Sequence, residues 1–225
     1  MTKIIAEEAR LAAANSTVIF ATNPKDSPPA IQGPSDGEAA LPHLFDLFDY
    51  EMGKGIYHAV IIACFDDTGL WELKARTSIP VIGIGEAGYH AAMLLGKRFS
   101  VVTTLPISVP VIEKNITDQG MKMRCAKVRA TCIPVLELEA DPDAAKMRIA
   151  SEIEEALETD GCDSIVLGCA GMANITAPLK KQFEIPIIDG VKAAIGFCET
   201  LHNLSQASMP DAKPSALGEQ VSSPR

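Results

Sequence analysis

The chain has 225 residues, 47% hydrophobic and 22% charged, with a net charge of −9. That is enough length for one large or two small α/β lobes with a proper core, and the acidic balance argues against a nucleic-acid partner, which needs a basic surface. No apolar run approaches the roughly 20 residues needed to span a bilayer, and Met1 to Arg10 read as an acidic amphipathic segment with no signal-peptide pattern, so a cytoplasmic setting is the default expectation.

In chain order, residues 1–14 read as a helix with an apolar stripe at Ile4, Ile5, Ala9 and Ala12. Thr17–Ala21 reads as a strand, followed by a Pro/Gly/Ser-rich loop to Pro34 and a helix from about Ser35 to Lys54. Val60–Ala63 reads as a strand without polar alternation, as in a parallel sheet covered on both faces. Residues 67–76 suggest a helix, Val81–Gly83 a short strand, Glu86–Leu95 a helix and Arg98–Thr104 a strand. A helix over Ser108–Gln119, a strand over Val128–Val135 and a long helix over Pro142–Thr159 follow. The last elements are a strand at Ile165–Leu167, a helix to Phe183, a strand at Ile185–Ile188 and a helix from Gly190 to Leu201. The Pro/Ser/Gly-rich segment after about residue 204 is expected to be disordered. This alternation predicts a parallel-dominated α/β fold.

The order repeats. Cys64 and Cys169 each end a β-branched run, are followed by turn formers, and precede an Ile-Pro segment at Ile79-Pro80 or Ile185-Pro186. Counting back from Cys64 the distance that separates Thr103 from Cys169 lands before Met1, so either the first half lacks the strand equivalent to Ser100–Thr103 or the sequence is shortened at its start. Both cysteines sit at carboxyl ends of strands, where open α/β sheets bind ligands. A following helix N-terminus would lower a thiol pKa toward neutrality and could hold an enolate oxygen. Two thiols on two similar lobes can reach opposite faces of one small molecule, the geometry of a two-base racemase. Cys125, Cys132, Cys162 and Cys198 lack that context and read as structural. There is no C-x-x-C pair, and His43, His58, His90 and His202 are scattered, so a zinc site has little support.

Thr103 and Thr104 end a strand at the same sheet mouth and could anchor a carbonyl. Asp66 and Asp67 could cap the next helix, and one pointing inward would repel a carboxylate and accept N–H donors. Gly83-Ile84-Gly85-Glu86-Ala87-Gly88 fits a dinucleotide fingerprint. It follows a short strand that does not open a fresh βαβ unit, and the only acidic residue at the right distance, Glu113, falls in a helix. It reads better as a tight turn, with a non-catalytic nucleotide-binding protein kept as the rival of a different class.

The segments Val60–Leu70, Arg98–Pro106, Ile165–Met172 and Pro186–Val191 together resemble the hydantoin racemase family, which includes allantoin racemases, within the aspartate/glutamate/hydantoin racemase superfamily. The resemblance runs from about residue 1 to 203. It implies two pseudo-symmetric α/β lobes, each with a mostly parallel sheet flanked by helices and the active site in the cleft between them. It divides the chain into 1–92 with 186–203, then 93–185, then a tail from 204 to 225. It implies a cofactor-free two-base reaction on a small cyclic ureide, with no metal, and a homo-oligomer of four or more subunits. It matches Cys64 and Cys169 to the catalytic pair, and Thr103, Thr104, Phe65, Ala170 and Gly171 to ring-binding positions. Ile31-Gln32-Gly33 falls where the family has an Ile-Glu-Gly-like stretch near substrate, so Ile31 and Gln32 join the candidates, together with Asp66. Family members also open with a strand ending in an Asn-Pro-Asn-like segment that touches substrate, and this chain has none. Hydantoin and allantoin racemase both remain open. Amino-acid racemases follow their first cysteine with Asn-Thr rather than Phe65-Asp66-Asp67, and a decarboxylase of the superfamily needs only one cysteine.

Overall fold

A computed structural model describes residues 1–207. The elements are α1 (Thr2–Ala12), α2 (Pro34–Met52), β1 (Val60–Ile62), α3 (Leu70–Lys74), β2 (Val81–Gly83), α4 (Ile84–Leu95), β3 (Phe99–Thr103), α5 (Val109–Asp118), β4 (Cys125–Ala130), α6 (Glu137–Ala140), α7 (Pro142–Thr159), β5 (Ser164–Gly168), α8 (Thr176–Gln182), β6 (Ile187–Asp189) and α9 (Gly190–Ala207). Short 3₁₀ turns precede α5 and α8. Every strand pairing among the described residues is parallel: β1 with β2, and β4-β3-β5-β6 as a four-stranded sheet. β3 and β5 are buried along their whole length, which is why Phe99–Thr103 and Ser164–Gly168 show no polar alternation.

The two halves share one core. Ile82, Ile84 and Ala87 of the first half cluster with Val101, Val166 and Ile188 of the second. Contact is close because two glycines permit it. A Cβ at Gly88 would lie 2.8 Å from Val166 Cγ1, and one at Gly190 would lie 2.3 Å from the Ile84 carbonyl oxygen. α9 packs against α4 and α1. In the second half, Arg129 of β4, 4% exposed, bonds Asp160, Thr159 and Glu152, tying the sheet to α7. A buried guanidinium is tolerated there because its donors are matched by carboxylates.

Four expectations are corrected. Thr17–Ala21 is not a strand: it pairs with nothing in a sheet, and Val18 and Phe20 are 73% and 64% exposed. Extended backbone without a partner leaves its N–H and C=O groups to water. The fourth strand is Cys125–Ala130 rather than 128–135, because Cys132 turns into the left-handed region (φ 62°) and Pro134 follows. β6 was grouped with the first lobe by the 186 boundary, yet it hydrogen-bonds to β5 and belongs to the four-stranded sheet. α9 runs to Ala207, past the expected start of the tail; the rest of the tail lies outside the described residues.

Candidate active site

Cys64 follows β1 and Cys169 follows β5, at carboxyl ends of parallel strands. Both line one cavity of about 680 Å³, together with Phe65, Asp66, Thr68, Thr103, Thr104, Ser108, Gly168 and Ala170. Their local turns match. The Cys64 carbonyl accepts the Asp67 amide and the Cys169 carbonyl accepts the Met172 amide, each at 3.0 Å. The backbone two residues on, at Asp66 and Gly171 respectively, favours the thiolate of each cysteine. Cys64 Sγ also lies 3.5 Å from Thr68 Oγ1.

Both thiols favour the neutral form. Burial pushes Cys64 up to about 12, Asp66 adds to the rise, and the Thr68 hydroxyl and Asp66 amide oppose it. Burial likewise pushes Cys169 up to about 12, against the Gly171 amide and with a further push from Asp66. This corrects the expectation of thiols lowered toward neutrality. Cys169 does stand at the start of a 3₁₀ turn, Ala170–Ile175, but Cys64 enters an irregular turn and α3 begins only at Leu70. One donated amide per sulfur does not outweigh desolvation. Asp66 acts on both sulfurs and is itself pushed up to about 6 by burial, with the Ser108 hydroxyl opposing. Asn115 Nδ2 donates to the Asp66 carbonyl at 2.8 Å, which holds that residue from α5.

The other candidates divide. Thr103 uses its hydroxyl structurally, donating to the Gly168 carbonyl at 2.8 Å, while the Thr104 carbonyl accepts from Thr131 at 3.3 Å. Ile31, Phe65 and Ala170 line the cavity. Gln32 and Gly171 are not among its lining residues. The Gln32 side-chain oxygen accepts the Val135 amide at 3.0 Å and so ties the first long loop to the second half. Gly171 serves through its amide and is packed against Leu138 and Met1. Sequence reading missed Thr68 in the turn before α3, Ser108 in the 3₁₀ turn before α5 and Asn115 in α5, whose contacts with Cys64 and Asp66 carry no local signature.

The glycine fingerprint is consumed by packing. Asp67 does not cap the next helix, α3, as expected; its carboxylate accepts the amides of Gly85 and Glu86 at 2.9 and 2.7 Å. It thus occupies the α4 N-terminus, where a dinucleotide phosphate would have to sit. All six cysteines are free thiols, and among the described residues no group of three potential ligands is placed to hold a metal. No described helix is long and apolar enough to cross a membrane.

The sequence pattern of the Asp/Glu/Hydantoin racemase family matches residues 1–198. The chain belongs to that family. It is 43% identical over 201 residues to a hydantoin racemase of Rhizobium meliloti, covering 89% of this chain and 83% of the relative. It is 37% identical over 206 residues to a hydantoin racemase of Pseudomonas sp. strain NS671, covering 92% and 82%. Its fold superposes on allantoin racemase from Klebsiella pneumoniae with a TM-score of 0.87 at 36% identity, covering 91% and 83%. The chain is therefore an isomerase of the racemase class with the two-lobe α/β fold.

Proposed function

We propose that the protein racemises 5-monosubstituted hydantoins by proton transfer between Cys64 and Cys169 across the ring. The observation that carries this reading is the pair of matched cysteine turns opening on one cavity from two strand ends. One cysteine, as thiolate, removes the C5 hydrogen as a proton. The C–H electron pair passes into the adjacent ring carbonyl as an enolate. The opposite thiol then gives its proton to the other face of C5 and becomes the thiolate, so the two sulfurs exchange roles for the two enantiomers. The scheme calls for no cofactor, because the ring carbonyl takes the electron pair.

Asp66 supports a cyclic ureide over an α-carboxylate. A carboxylate facing both sulfurs accepts ring N–H donors and repels an anion. Thr104 and the amides near Ala170 are the candidates to face the carbonyls. Both thiols favour the neutral form, so one of them gives its proton to solvent water before attack, and ring N–H groups that satisfy the Asp66 carboxylate ease that step by weakening its push on the sulfur.

The test is the decay of circular dichroism of an enantiopure 5-monosubstituted hydantoin, run beside enantiopure allantoin. Decay to zero with the hydantoin and not with allantoin is the expected result. The reverse pattern supports the second reading, allantoin racemase, which the fold match to the Klebsiella enzyme favours. A signal unchanged with both substrates contradicts the racemase reading.

A further inference from the structure

The turn after Cys64 is fastened to a helix well removed from it in sequence. Asp67 is 7% exposed, and its backbone stands in the left-handed region (φ 50°). Its two carboxylate oxygens take the first amides of α4, 18 and 19 residues on. The corresponding helix in the second half, α9, is capped locally instead: Asp189, at the end of β6, accepts the Val191 amide at 2.9 Å. The corresponding residue at the end of β2 is Gly83. A Cβ at Gly83 would lie 2.1 Å from Asp67 Oδ1, and one at Gly85 would lie 2.5 Å from the Phe65 carbonyl oxygen. Gly83 has φ −81°, so a glycine there serves space rather than backbone conformation. Two glycines and one strained aspartate therefore form a lock between the Cys64 turn and α4.

We propose that Asp67 is a positioning residue, which by capping α4 from within the Cys64 turn fixes how the Cys64 thiol faces the cavity. Cys64 needs such a lock because β1 beneath it has only three residues and one paired neighbour. Asp67 itself is pushed up to about 8 by burial, so its grip is complete only in alkaline solution.

The test uses the full chain at pH 9 and measures alkylation of Cys64 and Cys169 separately by peptide mapping, beside steady-state racemisation, on whose assignment above the kinetic arm rests. With Asp67→Ala, kcat falls about 100-fold while KM moves less than about threefold, as expected for a misplaced reacting group. Cys64 alkylation accelerates at least about fivefold, since the unfastened turn opens its buried sulfur to reagent, and Cys169 stays within about twofold. Asp67→Asn keeps one amide-accepting oxygen and recovers most of kcat. Gly83→Ala, which leaves Asp67 present but displaced, reproduces the kcat loss. If Asp67→Ala does not fold, Gly83→Ala carries the kcat and alkylation readouts, with Asp67→Asn as the rescue control. Equal acceleration at Cys64 and Cys169, or no change at Cys64 in a folded variant, overturns the proposal. The alkylation contrast needs no turnover, so it decides the role of Asp67 even if the hydantoin assay fails.

Discussion

Beneath Cys169, β5 is hydrogen-bonded on one side by β3 and on the other by β6, and all five of its residues are buried. Beneath Cys64, β1 is three residues long and pairs only with β2. The turns above the two strands are nearly alike, yet their support is not. Cys169 inherits its position from the sheet, with Thr103 bonding the Gly168 carbonyl at the register Thr103↔Gly168. Cys64 is placed by side chains of its own turn, Thr68 beside the sulfur and Asp67 bonded across to the α4 amides. A pseudo-symmetric site can thus be held by backbone pairing in one half and by tertiary contacts in the other.

The largest effect separates the cysteines from everything around them. Cys64→Ser and Cys169→Ser should each lower racemisation by at least about 1,000-fold, within the range of general acid–base effects. Exchange of the C5 hydrogen with solvent should survive for a single enantiomer, a different one in each variant. Full racemisation by either variant would break the equivalence of the two halves.

A smaller effect tests the sheet-borne support of Cys169. Gly168→Ala places a Cβ 2.8 Å from Thr103 Cβ and 2.9 Å from Thr103 Cα, atoms that cannot rotate away. Destabilisation of about 2–3 kcal/mol is expected, a Tm loss of roughly 4–12 °C for a chain of this size. Thr103→Val keeps the shape and removes the 2.8 Å bond to the Gly168 carbonyl. It should cost about 1–2 kcal/mol, read as a smaller Tm loss, with Cys169 alkylation rising and Cys64 alkylation unchanged.

A last effect is a pH dependence shared by both halves. In the unliganded protein Cys64 and Cys169 should alkylate far more slowly at pH 8 than the exposed Cys132. Because their folded pKa values lie above the ordinary thiol value, the folded chain holds these protons more tightly than the unfolded chain between about pH 9 and 12. The stabilisation is complete below pH 9 and is lost as pH rises toward 12. A chemical-denaturation series across that interval checks the sign, and a saturating substrate analogue, lying between the two sulfurs, should slow the alkylation of both.

Much of the fold is legible in the residues because its signals are local. Apolar β-branched runs such as Ile165–Leu167 and Ser100–Thr103 mark buried parallel strands. The Asp141-Pro142 step marks the start of α7, where Asp141 accepts the Ala144 amide at 3.0 Å. Thr17–Ala21 has the same composition and fails as a strand, because pairing needs a neighbour that composition cannot supply. The ends of the fourth strand were misread for a related reason: Cys132 takes a left-handed conformation that its residue type does not advertise.

The sequence by itself determined the repeat, the parallel α/β architecture and the presence of two cysteines at corresponding strand ends, since these rest on periodicity and spacing along the chain. Only the tertiary structure decided that both thiols are held neutral, that Gln32 clasps Val135, and that Asp67 caps α4 rather than α3. Desolvation and long-range hydrogen bonds depend on which atoms meet after folding, and no local pattern encodes that meeting.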